Sequence, residues 1–137
     1  RFYSYGLNHI KNNIFIGVGL GNWKIKSIDY DSKNMTSYIV PYYLHNDFLE
    51  VGTELGIIGF LLYGGMFFYL IVYLIKNIFL NIFKNTSKSI PLYILFLCII
   101  VYFIDSNLNF PHGRAISQVT INIFFALVIL QSYSDEK

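Results

Sequence analysis

The chain has 137 residues, 55% of them hydrophobic and 19% aromatic, and its 13% of charged residues is about half the roughly 25% of an ordinary soluble domain, which excludes a water-soluble globule in favour of a lipid-embedded chain. A net charge of +2 with dispersed lysines gives no basic face for nucleic acid. The single cysteine, Cys98 in apolar sequence, excludes a disulfide framework and a cysteine metal site.

Residues 1–54 form a polar, aromatic-rich region with turn signals at "GVGLGN" and "DYDSKN". The stretch "GVGLG" lacks the spacing of a dinucleotide-binding glycine loop and precedes no crossover pattern, so it reads as a tight turn. Asp29-Tyr30-Asp31 looks like a metal-binding acid pair, yet its lysine-flanked, polar setting reads as a solvated loop.

A helix is predicted from Asp47 onward. At about 100° per residue, Asp47, Glu50 and Glu54 share one arc while Phe48, Val51, Leu55 and Ile58 share another. Asn46 or Asp47 suits the cap, and acids in the first turn suit the positive end of the helix dipole. His45 stands outside that explanation, because the same dipole disfavours a protonated imidazole just ahead of the helix.

Leu55 to Ile75 then gives 21 residues without a charge, enough at ~1.5 Å per residue to cross a ~30 Å hydrocarbon core. A second uncharged run covers residues 90–104 and a third 115–133, the latter with Ser117, Gln118, Thr120 and Asn122 in its first half; these polar groups are expected to face other helices or a cavity. None of the runs reads as a signal peptide. Because the chain begins at Arg1 without a methionine, it is expected to be a piece of a longer protein.

Lys76, Lys84 and Lys88 lie without an acid between the first two runs, whereas the next connection balances Arg114 with Asp105. The positive-inside rule therefore assigns residues 76–89 to the cytoplasm, and residues 1–54 and 105–114 to the opposite face. The expected fold is all-α: a polytopic membrane helix bundle of three transmembrane helices, about 55–75, 90–104 and 115–133, preceded by an extracytoplasmic region and followed by a cytoplasmic tail at 134–137. The connection "DSNLNFPHGR" gathers Asp105, Asn107, Asn109, His112 and Arg114. Two readings stand for them, an interfacial salt bridge of Asp105 with Arg114 or the lining of a site, since charge at that depth is costly without a partner or water. Asn109-Phe110-Pro111 reads as a turn.

These segments, taken in order, resemble the superfamily of bacterial O-antigen ligases and O-antigen polymerases. "RFYSY" has an arginine followed four residues later by an aromatic, "NNIFIGVGLGNW" is similar to the stretch that ends in the family's glycine turn, and "HNDFLEVGTELGIIG" matches the family pattern at His45, Asn46, Leu49, Glu54, Gly56 and Gly59. "DSNLNFP" is similar to the family's turn between its last two helices. The resemblance implies the carboxy-terminal part of a multi-pass membrane glycosyltransferase in the bacterial cytoplasmic membrane, with its active site on the extracytoplasmic face. Such an enzyme takes a glycan from an undecaprenyl-diphosphate carrier and moves it to a hydroxyl on a lipid or glycan acceptor. His45 matches the catalytic histidine and Arg1 an essential loop arginine. The substrate-binding candidates beside them are Arg114, Asn46, Glu54 and Asp105. Cationic side chains in the diphosphate role require neither a metal nor another cofactor. The partners implied are the lipid-linked donor, the acceptor and membrane lipid, with no nucleic acid. An O-antigen polymerase and a protein O-oligosaccharyltransferase share these residues as alternatives. From another class, the alternative is a non-enzymatic membrane subunit or a transporter fragment; the transporter reading requires polar groups near the bilayer midplane, whereas the acids and histidines here cluster at the helix ends.

Overall fold

The computed structural model describes residues 2–32, 43–83 and 89–135. Among these residues the fold is all-helical: α1 (Phe2–Asn12), α2 (Trp23–Asp31), α3 (Asp47–Phe83), α4 (Ser89–Leu108), a 3-10 turn at Pro111–Gly113 and α5 (Ala115–Asp135). They form two compact units, one of Arg1–Gly64 with Ser106–Phe110 and the other of Gly65–Asp105 with Pro111–Lys137.

In the first unit, α1 and α2 stand where the sequence showed chiefly turn signals. The aromatic content explains them. Tyr5 stacks on Tyr30 with centroids 5.9 Å apart, Trp23 lies 6.0 Å from Tyr30, and the His9 ring meets both Trp23 and Tyr30. Rings at helical spacing on two short helices thus bury one another, which supplies the packing that a lone short helix lacks. Gly6 lets α1 approach closely, since a Cβ there would come within 2.8 Å of Leu44 Cδ1. The expectation of a solvated Asp29–Asp31 loop holds for Asp29, which is exposed and pairs with Lys26 at 2.8 Å, and is corrected for the rest: these residues end α2, and Asp31 is fully buried and accepts a hydrogen bond from the Tyr5 hydroxyl at 3.2 Å.

Helix α3 is broken at Gly56, whose φ of 68° and ψ of −164° lie outside helical geometry. A break strands backbone groups on both sides. The loop after α1 takes them up: Val18 N–H donates to Thr53 O at 3.0 Å, Gly19 N–H to Glu54 O at 2.9 Å, and Ile14 O accepts from Ile57 N–H at 2.8 Å. Gly17 must be glycine for this approach, because a Cβ there would collide with the Glu54 carbonyl. The stretch "GVGLG" is therefore a plug for a helix break, a tighter role than a free turn.

In the second unit, Phe67, Leu70, Leu74 and Ile78 form a buried stripe at spacings of three and four. Phe67 is ringed by Tyr102, Phe103 and Phe125 at 5.8–6.0 Å. Most other apolar residues of α3, such as Leu62, Phe68 and Tyr69, are exposed, which is tolerable in lipid and costly in water. Two helical stretches, Asp47–Ile82 and Pro91–Leu108, are long and apolar enough to cross a membrane; Ala115–Gln131 is apolar but shorter. The helices outrun the expected spans. Helix α3 continues through Lys76 to Phe83, with Asn77 and Asn81 donating to the carbonyls of Tyr73 and Asn77 four residues back, and Asp105 stands within α4 rather than in a connection. Lys84 and Lys88 lie outside the described residues.

Candidate functional site

His45 is exposed and immediately precedes the cap of α3, in a left-handed backbone conformation with φ 54°. A non-glycine residue in that region costs free energy unless its surroundings impose it, and such residues gather at functional positions. Four contacts impose it here. The Tyr3 hydroxyl donates to the His45 carbonyl at 2.9 Å. The next residue, Asn46, uses both ends of its amide: Oδ1 accepts from Leu49 N–H at 2.9 Å, the cap the sequence predicts, and Nδ2 donates to Asn107 O at 3.1 Å. The imidazole stands edge-on to Phe110 with centroids 4.9 Å apart.

Phe110 is in turn stacked on Tyr43 at 4.5 Å and 3°, and the Lys24 ammonium lies 5.0 Å from the Tyr43 ring centroid. A cation over an aromatic face is attracted by the ring quadrupole. The first unit therefore presents an exposed imidazole and an ammonium on one aromatic stack, at the mouth of α3. Together they can accept a proton and attract an anion.

The three acids near His45 are not displayed to solvent. Glu50 is buried and its Oε2 accepts from Leu44 N–H at 3.0 Å, fixing the segment that leads to His45. Glu54 is buried and its Oε1 accepts from Trp23 N–H at 3.2 Å. Helix α2 has no cap bond from the side chain of Asn22, so the carboxylate of Glu54 serves its positive end from across the fold. Glu54 was expected to act at the start of its own helix; it acts at the start of another. Asp47 is also buried.

The remaining sequence candidates divide. Arg1 lies outside the described residues. Asp105 and Arg114 belong to the second unit, where Arg114 is exposed and its N–H donates to Pro111 O at 3.0 Å. His112, also there, pairs its Nδ1 with Gln118 Nε2 at 2.8 Å. Tyr3, Lys24 and Phe110 had no assigned role in the sequence, and Asn107 stood there only as one of the polar residues of "DSNLNFPHGR". Phe110 was legible only as part of a proline turn, and Tyr3 is one of twelve tyrosines. Among the described residues no group of three or more His, Cys, Asp or Glu is placed to hold a metal ion.

The break in α3 also bears on the transporter alternative. Transporters use unwound helix to expose backbone groups to an ion, whereas the groups freed here at residues 53, 54 and 57 are bonded to the loop at residues 14–19.

His9 offers a separate handle on the first unit. It is buried, with Nδ1 3.1 Å from the Tyr30 hydroxyl. Burial, reinforced by the charge of Lys26, holds its pKa below the ordinary value. Above about pH 6.5 the folded and unfolded forms are both neutral, so the depressed pKa contributes nothing to the pH dependence there. As pH falls below that value the unfolded state binds the proton first, and stability declines by up to about 1.4 kcal/mol per pH unit until the folded pKa is passed. Thermal denaturation in detergent between pH 7.5 and 5 is expected to show this loss, and His9→Phe to remove that component of it; an unchanged slope in the variant assigns the effect elsewhere.

Residues 1–64 match the family model described as O-antigen ligase. No curated protein and no solved structure matches the chain. The match spans α1, the plugging loop, α2, His45 and the broken start of α3, the elements that assemble this site. Over residues 1–64, just under half of its length, this chain is accordingly similar to the O-antigen ligase family.

Proposed function

We propose that the chain is the carboxy-terminal part of an integral membrane glycosyltransferase that moves a glycan from an undecaprenyl-diphosphate carrier to a hydroxyl acceptor on the extracytoplasmic side of the bacterial cytoplasmic membrane. The observation that carries this reading is the exposed His45, held in a left-handed conformation between the capped start of α3 and the Phe110 ring. Lys76 near the end of α3, with Lys84 and Lys88 beyond it in sequence, supports the sidedness through the positive-inside rule, and α5 serves as the third span.

In the reaction the acceptor oxygen attacks the anomeric carbon of the donor sugar as the bond from that carbon to the diphosphate breaks. The acceptor proton passes to a ring nitrogen of His45, and the carrier diphosphate departs with the electron pair. General-base help of this kind contributes ~100-fold to 10,000-fold. Arg1 would meet the departing charge with paired hydrogen bonds, and Arg114 is a second source of a guanidinium. Asn46 and Glu54 contribute by holding His45 and α2 in place, and Asp105 stands as a further substrate-binding candidate.

The test is reconstitution of the intact protein in liposomes with an undecaprenyl-diphosphate-linked oligosaccharide. Lipid A core, a second carrier-linked repeat unit and an acceptor protein are supplied in turn. Release of undecaprenyl diphosphate with one acceptor supports transfer and separates ligase, polymerase and protein glycosylation from one another. No release with any of them, from protein that has inserted correctly, rejects the transferase reading.

A further inference from the structure

The loop that plugs the helix break carries apolar side chains that its own fold leaves uncovered. Phe15 is 73% exposed, Ile16 82% and Leu20 68%. No charge occurs between Lys11 and Lys24. Such a patch is unusual on a segment in water.

Its backbone bonds fix it at the level of residues 53–57 of α3. From that level onward the membrane-competent helix exposes Leu55, Ile58, Leu61 and Leu62, so the apolar surface of the loop continues the apolar flank of the helix. Between the two lies a cavity of about 600 Å³, walled by Phe15, Ile16, Val18, Leu55, Ile58 and Leu62. Glu54 is its one charged lining residue, and that carboxylate accepts from Trp23 N–H.

A non-helical segment survives in hydrocarbon only where its backbone groups find partners in protein. Ile14 O, Val18 N–H and Gly19 N–H meet that condition through α3. The exposed Lys11 at the end of α1 can extend its ammonium toward lipid phosphates while its stem lies on apolar surface.

We infer that residues 14–20 form an interfacial loop seated in the leaflet adjoining the His45 end of α3, with phospholipid acyl chains covering Phe15, Ile16 and Leu20 and filling the cavity against α3. The inference rests on α3 crossing a membrane and does not require the transferase chemistry.

Site-directed spin labelling of the intact protein in phosphatidylcholine and phosphatidylglycerol liposomes tests it, with native cysteines replaced by serine and single cysteines placed at Ile16, at Phe15 and, as a water-exposed reference, at Asn12. The ratio of relaxation by oxygen to relaxation by a water-soluble nickel chelate is expected to be about tenfold higher at both loop positions than at Asn12, since apolar oxygen concentrates where a polar chelate is excluded. Equal ratios at all three positions would overturn the inference. Labels shielded from oxygen and chelate alike would also overturn it, because they mark a protein partner on the patch. The two loop positions are read independently, so misfolding of one variant leaves the other to decide.

Discussion

His45→Ala in the intact protein is expected to lower glycan transfer by ~100-fold to 10,000-fold, the usual contribution of a positioned general base, while membrane insertion and helix content stay unchanged. The separation of effects follows from how His45 is held. Its Tyr3 contact is to the backbone carbonyl, and the cap of α3 belongs to Asn46, so removing the imidazole leaves both in place. What alanine disturbs is the left-handed backbone, which a Cβ without polar reach tolerates poorly. His45→Asn controls for that, since asparagine adopts left-handed geometry readily but is no base at neutral pH. Both variants should lose transfer alike. Wild-type transfer in the asparagine variant, measured as undecaprenyl diphosphate released from reconstituted protein, would remove His45 from the chemistry.

The largest expected effect on stability falls at Gly56. With φ 68° and ψ −164° it occupies a region that is essentially restricted to glycine, and an added Cβ would collide with the Phe15 carbonyl. Gly56→Ala therefore faces strain and a clash together, at a cost of about 3 kcal/mol or more. Reverting Gly56 to helical geometry does not relieve it, because the carbonyls of Thr53 and Glu54 and the N–H of Ile57 are bonded to the loop only while the helix is broken. The expected result is a sharply lower folded yield in detergent and a lower denaturation midpoint. By contrast, Gly65→Ala, where an added Cβ meets nothing within 4 Å, should be close to neutral. Equal stability of the two variants would show that the break is dispensable.

These two residues lie eleven positions apart in a segment whose outline is legible without coordinates. The order of His45, Asn46, Glu54, Gly56 and Gly59 carries the resemblance to the O-antigen ligases, and the matched family model covers the same stretch. The first two apolar runs mark helices long and apolar enough to cross a membrane, and Asn46 is one of the two cap residues that local rules offer, since a cap depends on neighbours within one turn. Local rules end there. By its spacing Glu54 belongs with the acids at the start of its own helix, but its carboxylate serves Trp23, thirty-one residues away in sequence. Asp31 resembles a solvated acid and is buried under Tyr5.

Composition and hydrophobic periodicity by themselves determined that the chain is helical and that two of its helices are long and apolar enough to cross a membrane, because these properties sum over many residues and survive errors at any one of them. The order of motifs carried the resemblance to the O-antigen ligases, which the family model matches over residues 1–64. Only the tertiary structure decided that α3 breaks at Gly56, that the glycine loop fills the break, and that Tyr3, Asn107 and Phe110 fix His45. Each of those outcomes depends on a hydrogen bond or ring contact between residues distant in sequence, and no local propensity encodes which backbone group will be left without a partner or which loop will reach it.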